Sequence, residues 1–467
     1  MKLIQSLSKE TSIKHWQGLG VAIQAYGKRA QDVITLISEI ALRREKMHVR
    51  LVKGAYWDYE IKQAQVKGYK DFPVFTHKAF TDVNYLRCAH QLFNSPNLNF
   101  YFATHNAHTI ASIYHMGRGR QYEFQRLYGM GALLFDQAKN YFDKFPAVSI
   151  YAPVGKYEDL LPYLVRRLLE NGANSSFVNR VMHRELSPSE VISDPIKKSK
   201  KMLNASTEMI TKPLNLFANR KNSNGLDITD PCVLDELQKN LLLKKENKIH
   251  VSSCSTLQVQ NHEDIEYLSK ADQSVLGRIS LINQNSIFQF NDLLPSRLWV
   301  KTHITDRAKL LNQVSDLIEK NPEPFIYLLM HESAKVIEDA IDEIRECVDL
   351  LRYYASQSES LTDLTLSGPT GELSQLKYYP KGVALCISPW NFPLAIMCGQ
   401  IAANLVVGNT VIAKSSELTP VIAYTLVDLF YQAGLPKDAL HLILGDRNIG
   451  QALVALDCID VIAFTGS

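Results

Sequence analysis

Arg50 and Lys53 close an apolar, strand-like run in RLVKGAYW (50–57), and Gly54, Tyr56 and Trp57 follow directly. Cations at a strand terminus suit a phosphate, a carboxylate or the negative charge of a reduced flavin. A glycine there lets the backbone approach a ligand, and the two rings can wall a planar group. On residues alone, a surface cluster after a strand explains the same run equally well. THNAHT (104–109) offers His105 and His108. No carboxylate or third ligand stands at metal spacing, so polar contact of His105 with a ligand is the better reading. In LPYLVRRLLENG (161–172), Glu170 follows Arg166 by four residues and Arg167 by three, so it can orient either guanidinium. Paired arginines suit bidentate capture of a carboxylate. A solvated helical face with an ion pair is the plainer account of this segment taken by itself.

A second group lies near the other end. ISPWNFP (387–393) reads as a strand running into a Pro-bracketed turn, where the amide of Asn391 can donate to a developing oxyanion. In AKSSE (413–417), Lys414 and Glu417 can reach the ribose hydroxyls of a cofactor. VIAFTGS (461–467) runs from a buried strand into Thr-Gly-Ser, a turn that normally opens a phosphate-holding helix. Each alone is a loop, but their order and spacing together read as a dinucleotide fold. No GxxxxGK[ST] loop occurs, and the glycine pair in MGRGRQ reads as a turn.

Two sets of elements must position these groups. Apolar or β-rich runs at 20–26, 48–54, 99–105, 121–127 and 148–155 are each followed by a helical stretch, as in TDVNYLRCAHQLF (81–93). Repeated βα units imply parallel strands with functional side chains at their carboxyl ends, as in a (β/α)8 barrel. About five units are present where a closed barrel needs eight. The spacing predicts helices from Thr305 and over 331–357. It then predicts strands at 382–390, 410–416, 441–446 and 461–467, with helices over 394–406 and 420–434, a doubly wound pattern. Residues 183–230 are polar and turn-rich and read as a linker, the basic run Lys197–Lys201 being a solvated part of it. Residues 232–300 are ambiguous.

Composition excludes several classes. A net charge of +3 over 467 residues gives no electrostatic case for nucleic acid. Seven scattered cysteines without a CxxC pair fit a reducing compartment rather than a disulfide or zinc framework. No signal peptide and no apolar run of transmembrane length is seen, so any membrane contact is expected to be peripheral.

RLVKGAYWDYEIKQAQ, FATHNAHT, YEFQRLYGMG and IYAPVGKYEDLLPYLVRRLLENGANSSFVNR resemble the proline dehydrogenase barrel of the bifunctional proline utilization A family. ISPWNFP, GNTVIAKSSELTP and VIAFTGS resemble the NAD-binding half of an aldehyde dehydrogenase. The resemblance covers most of 20–182 and about 300–467. It implies an α/β chain: a partial (β/α)8 barrel, then a partial doubly wound NAD-binding aldehyde dehydrogenase domain. The boundaries drawn are 1–182 for the barrel part, 183–230 for the linker and 231–467 for the aldehyde dehydrogenase part. Two reactions are implied. FAD takes a hydride from L-proline to give pyrroline-5-carboxylate, and NAD oxidises the derived glutamate semialdehyde to glutamate.

The resemblance also assigns residues. Gln24, Arg50, Lys53, Gly54, Trp57, Thr104, His105 and Glu170 would line the FAD. Tyr56, Leu127, Tyr151, Tyr163, Arg166 and Arg167 would shape the proline pocket, which reverses the plainer account of the paired arginines. Asn391 would be the oxyanion donor, and Ser388, Lys414, Glu417, Gly466 and Ser467 would contact NAD. No metal is implied. Quinone would be the electron acceptor, with a cytoplasmic location and peripheral contact with the inner membrane.

Several positions depart from the family pattern. VFTHK places His77 where an arginine near the FAD is usual, and Tyr128 stands for a usual histidine. The first three barrel strands, with a lysine and an aspartate of the proline site, have no counterpart in this sequence. Neither has the DNA-binding arm of some members, nor the catalytic cysteine and general base of the second site. The expectation is therefore a piece of the bifunctional enzyme, cut at both ends, with neither site complete. The alternative is a non-enzymatic remnant, or a flavin-binding half-barrel that pairs with a complementary chain.

Overall fold

A computed structural model describes residues 2–44, 46–172, 194–205, 210–244, 249–257 and 259–466. The chain divides into two compact units. The first comprises residues 1–66 and 71–211, and the second 67–70 and 212–467.

In the first unit, helix α1 (Lys2–Lys9) precedes five βα pairs: β1 (Gly20–Gln24) and α2 (Ala30–Ala41); β2 (Met47–Val52) and α3 (Trp57–Val66); β3 (Leu98–Ala103) and α5 (Ala107–Met116); β4 (Glu123–Leu127) and α6 (Ala132–Tyr141); β5 (Ala147–Tyr151) and α7 (Tyr157–Gly172). Helix α4 (Lys78–Phe93) lies between α3 and β3. The sheet is parallel throughout, in the order β1-β2-β3-β4-β5. This is the winding of a barrel wall, as the repeated βα pattern implied.

Alternation fixes the two faces. Met47, Val49 and Leu51 are buried, with His48, Arg50 and Val52 between them half-buried. Register aligns Ala22, Arg50, Tyr101 and Glu123 across four strands, so these share the second, concave face. The buried face packs Phe93 of α4 edge-on or tilted against Phe100, Phe102 and Tyr122. Aromatic pairs of this kind add to area burial, which makes α4 the anchor of the sheet.

Within the stretch read as a linker, Pro195–Ala205 forms helix α8, which packs on α4. Asp194 starts it by accepting from the Ile196 amide at 2.8 Å, and proline occupies the first helical position. The basic run thus lies on a helix, its charges outward and Ser199 buried. The Asp-Pro start outweighs the run of like charges.

The second unit opens with α9 (Pro231–Lys244) and a small mixed sheet of β6 (Ile249–Ser252), β8 (Val275–Ser280) and β7 (Ile265–Leu268), paired in that order. These occupy much of the stretch that sequence patterning left ambiguous. Helices α10 (Arg297–Lys301), α11 (Ile304–Lys320), α12 (Glu323–Glu332) and α13 (Ile337–Gln357) follow. The single helix expected over 331–357 is two, because Ala334 takes a left-handed φ of 52°. An exposed hairpin of β9 (Leu364–Leu366) and β10 (Ser374–Leu376) leads to the main sheet. That sheet is parallel and ordered β13-β12-β11-β14, from β11 (Val383–Ile387), β12 (Thr410–Lys414), β13 (Leu440–Ile443) and β14 (Val461–Phe464). Helices α14 (Ala395–Val406), α15 (Pro420–Gln432) and α16 (Arg447–Val454) connect them. β12 and β13 are laid to one side of β11 and β14 to the other. The strand order therefore reverses at β11, where doubly wound sheets hold ligands.

Among the described residues no helix is long and apolar enough to cross a membrane.

Candidate functional sites

The carboxyl ends of β1, β2, β3, β4 and β5 bring most of the first group together. The Arg50 guanidinium carbon lies 4.3 Å from the centroid of the Tyr151 ring, a cation–π contact. Arg50 Nε is buried without a hydrogen-bond partner. Burial raises the Tyr151 phenol above its ordinary range, with Arg50 opposing and Tyr163 and Arg167 close enough to contribute. Arg167 stacks on Tyr163 at 5.1 Å, and Arg166 on Tyr56 at 4.8 Å. His105 Nε2 accepts from the Leu127 amide at 3.4 Å. Burial holds its imidazole below the usual histidine range, helped by Arg126 and Arg167, so it is neutral at pH 7. Thr104 is buried, and its hydroxyl accepts from the Asn106 amide.

The loop after β2 is fixed from several sides. The Ala55 amide donates to the Gln24 side chain at 3.2 Å, and Trp57 Nε1 donates to the Phe75 carbonyl at 2.8 Å. Gly54 has a φ of 135°, and a Cβ there would sit 2.5 Å from the Tyr26 ring. No side chain fits, so the backbone can meet a ligand directly.

Lys53 donates to Asp82 at 2.5 Å, and Lys78 reaches the same carboxylate at 2.8 Å. Burial would raise the Asp82 carboxyl, but the two ammonium groups hold it below its usual range. Sequence reading missed Asp82 and Lys78. Their i,i+4 spacing in KAFTD was the available signal. His77 caps α4, its Nδ1 accepting from the Ala79 amide at 3.1 Å, which is what histidine does at this position. Tyr128 is exposed. The side chain of Glu170 lies outside the described residues.

Lys53 supplies a pH prediction. Burial, with Lys78 nearby, brings its ammonium down from 10.5 to about 8, against the opposing pull of Asp82. Between those values the unfolded chain holds more protons than the folded one. Stability from this group therefore rises with pH across that window, and its cost is greatest below about pH 8. Nitrogen-detected NMR titration should place the Lys53 midpoint near 8, and Asp82→Asn should move it lower still. A midpoint at the ordinary lysine value would contradict this reading.

The second group meets at the carboxyl ends of β11, β12 and β14. Register pairs Ile387 with both Lys414 and Phe464, so the next residues, Ser388, Ser415 and Thr465, are level just past the strand ends. The Ser388 amide donates to the Lys414 carbonyl at 3.2 Å, and the Ser388 hydroxyl is buried without a partner. The hydroxyls of Ser415 and Thr419 are likewise buried and unpartnered. The Lys414 side chain is buried beside Gly450, its Nζ 3.9 Å from Glu417. Burial lowers its ammonium pKa, with Glu417 and Asp446 opposing. Gly466 has a φ of 147°, and Ser467 lies outside the described residues.

Asn391 is exposed in the turn before α14. That turn is held by Glu343 of α13, whose Oε1 accepts from the Leu394 and Ala395 amides at 2.8 and 3.2 Å. Lys335 lies 2.7 Å from Glu343 Oε2 and 3.9 Å from the centroid of the Phe392 ring. Sequence reading passed over both Lys335 and Glu343. Cys386 is buried within β11, and burial pushes its thiol up to about 12, far from a nucleophile's range. Among the described residues, no three or more His, Cys, Asp or Glu side chains form a group that could hold a metal ion.

Comparison with known proteins gives a family match to the greater part of each unit. Residues 1–180 match the proline dehydrogenase family, and residues 258–467 match the aldehyde dehydrogenase family. The bifunctional protein PutA of Klebsiella aerogenes is 38% identical over the whole of this chain, which spans 36% of that protein's length. The chain thus spans little more than a third of this curated relative. A crystal structure of Bradyrhizobium japonicum proline utilization A superposes with a TM-score of 0.83 at 40% identity, over 100% of this chain and 45% of that one. A proline utilization A structure from Bdellovibrio bacteriovorus, inactivated by N-propargylglycine, superposes with a TM-score of 0.85 at 29% identity, over 100% and 49%.

Proposed function

We propose, because this chain belongs to the PutA-type family of bifunctional proteins, that its first unit binds FAD and L-proline and its second binds NAD. The observation that carries the reading is the pairing of two clusters at strand carboxyl ends, each with buried polar atoms lacking partners: Arg50 Nε in one, the Ser388, Ser415 and Thr419 hydroxyls in the other. Unpaired buried donors of this kind are costly unless a ligand completes them. When bound, FAD would take up a hydride from proline, which also loses a proton to give pyrroline-5-carboxylate, and NAD would take up a hydride from glutamate semialdehyde, with water supplying the second carboxylate oxygen of glutamate.

The chain's own residues supply the surroundings. Arg50, Lys53 and the Gly54 backbone would face the flavin, with Gln24, Trp57, Thr104 and His105 bounding it and Glu170 behind. A neutral His105 donates a hydrogen bond without adding a second full charge beside Arg50. Arg166 and Arg167 would take the proline carboxylate, each steadied by a tyrosine ring, with Leu127 and Tyr151 closing the pocket. In the second unit Lys414 and Glu417 would hold ribose hydroxyls, Gly466 and Ser467 would lie along the pyrophosphate, and Asn391 would donate to an oxyanion. No described cysteine is assigned the nucleophile, so aldehyde oxidation is not attributed to these residues alone. Quinone as electron acceptor, a cytoplasmic location and peripheral contact with the inner membrane rest on the family resemblance. So do the domain limits at 182 and 231.

The purified chain should be yellow with bound flavin and should bind NAD in a titration. Proline-dependent dye reduction then asks whether the first half-reaction runs. A colourless chain that takes up neither cofactor would overturn the proposal.

One observation favours pairing with a complementary segment. Ile150 of β5, together with Val154, Leu161, Leu164 and Val165 beyond it, is exposed. An edge strand with such an apolar margin normally has cover. A concentration-independent monomer that stays soluble would count against this second reading.

A further inference from the structure

A cavity of about 1120 Å³ in the second unit is lined by the amino end of α11, by residues at and after the end of α13 and by the segment entering β11. None of the residues assigned to NAD or to the oxyanion lines it. Four of its lining cations have no carboxylate partner among the described residues: Lys301, Arg307, Lys381 and Arg220, the last lying over the Phe217 and Tyr353 rings. By contrast Lys221, Lys309 and Arg352, which also line it, are engaged by Glu319, Asp306, and Glu319 with Asp316.

Arg307 is the unusual group. It is 93% buried, being only 7% exposed, and its Nε and Nη1 have no hydrogen-bond partner. Its guanidinium lies where a Cβ on Gly408 would come within 1.9 Å of Nη1, and Gly408 has a φ of 96°. The chain therefore keeps a bare backbone there and leaves the guanidinium room. An uncompensated buried cation is expensive, so a site that retains one is built to receive a negative charge. Helix α11 points its amino end at the same cavity through His303, Ile304 and Thr305, and a helix amino end favours anions.

We propose that this cavity binds the phosphate group of a small molecule, with Arg307 and the α11 amino end at its floor and Lys301 and Lys381 at its rim. Several donors converging on one group suit a multiply charged tetrahedral oxyanion better than a single carboxylate. Asp316, Glu359 and Asp363 share the lining, so selection comes from the Arg307 end rather than from a uniformly basic wall. The site is separate from the proposed NAD surface and does not depend on that reading.

Inorganic pyrophosphate is the probe, titrated into the full chain and followed by phosphorus NMR line broadening, with malonate as the carboxylate comparison. Arg307→Gln is expected to weaken pyrophosphate by at least about tenfold. The exposed pair Lys301→Gln/Lys381→Gln, which leaves the buried arginine and the fold untouched, should weaken it several-fold. Added salt should weaken it further. Lys414→Gln, which alters the proposed dinucleotide surface, should leave it unchanged. The proposal is overturned if pyrophosphate does not bind, if only Lys414→Gln removes binding, if the Lys301/Lys381 variant binds as tightly as the unaltered chain, or if malonate binds there and pyrophosphate does not.

Discussion

Replacing Arg50 with methionine should weaken FAD binding by about 10- to 100-fold, the range expected for losing a charge-assisted hydrogen bond to a buried anion or ring acceptor. Arg50 is half-buried on the concave face of β2, between Ala22 of β1 and Tyr101 of β3. Its guanidinium is oriented by the Tyr151 ring, so little side-chain entropy remains to be lost when a ligand arrives. Nε is already desolvated and unpartnered. A ligand acceptor there gains a bond for which the cost of dehydration has been met during folding. Methionine keeps the bulk and apolar stem, which separates lost charge from lost packing. Arg50→Lys should fall between, since an ammonium cannot present the planar donor array. Flavin-fluorescence quenching by the three chains measures this directly. Equal affinity for the methionine variant would remove Arg50 from the flavin surface.

Loss of the Glu343 carboxylate should be the most damaging single change in the second unit. Its side chain is fully buried and holds three groups at once: the Leu394 and Ala395 amides and the Lys335 ammonium. Glu343→Ala leaves two helix-start amides and a largely buried ammonium without compensation. Breaking one side of a buried pair costs about 3–5 kcal/mol. Urea unfolding should show a fall of that size. Removing both charges together, as Lys335→Met/Glu343→Leu, should recover much of it, because the cost arises mainly from the orphaned partner. Glu343→Gln retains an acceptor for the amides and should be intermediate. The same change should loosen the turn that carries Asn391, which starts at the amides Glu343 holds. An alanine variant that unfolds at the urea concentration of the unaltered chain would refute the assignment.

The two changes act on different levels of one design. Arg50 is a group that folding leaves unsatisfied, and its value appears only with a ligand. Glu343 is a group that folding engages on both oxygens, two amides on one and an ammonium beside the other, and its value lies in where it puts its neighbours. The same contrast separates Arg307 from Arg352. Arg352 is spent on Glu319, Asp316 and the Asn222 carbonyl within the fold, whereas Arg307 faces a cavity with no partner.

Some of this was legible in residue order. The βα alternation determined a parallel wall, because apolar runs of strand length separated by helical spacing admit few other arrangements. The strand ends carrying Arg50, Lys53, Tyr151 and Lys414 followed from the same patterning. ISPWNFP, AKSSE and FTGS determined the doubly wound unit by their order alone. Local signals also fixed where many helices begin, as Asn106 does for α5 and Asp446 for α16.

Only the tertiary structure decided which of these residues meet. Asp82 lies 29 positions from Lys53, and no periodicity links a helix residue to the end of a distant strand. Glu343 lies 51 positions from the Leu394 amide it accepts from, so the support of the Asn391 turn was invisible until α13 packed under α14. Arg166 of α7 meets the ring of Tyr56, far back along the chain after β2, a contact only the fold brings about, whereas Arg167 and Tyr163 are i, i+4 neighbours on α7 itself. The break at Ala334 and the helix begun by Asp194 were overlooked because a single residue's φ or one side-chain cap decided each. Sequence determines what each segment can form and which chemistry it can offer. Packing determines which polar groups are satisfied and which are left for a ligand, because that balance depends on neighbours brought from far along the chain.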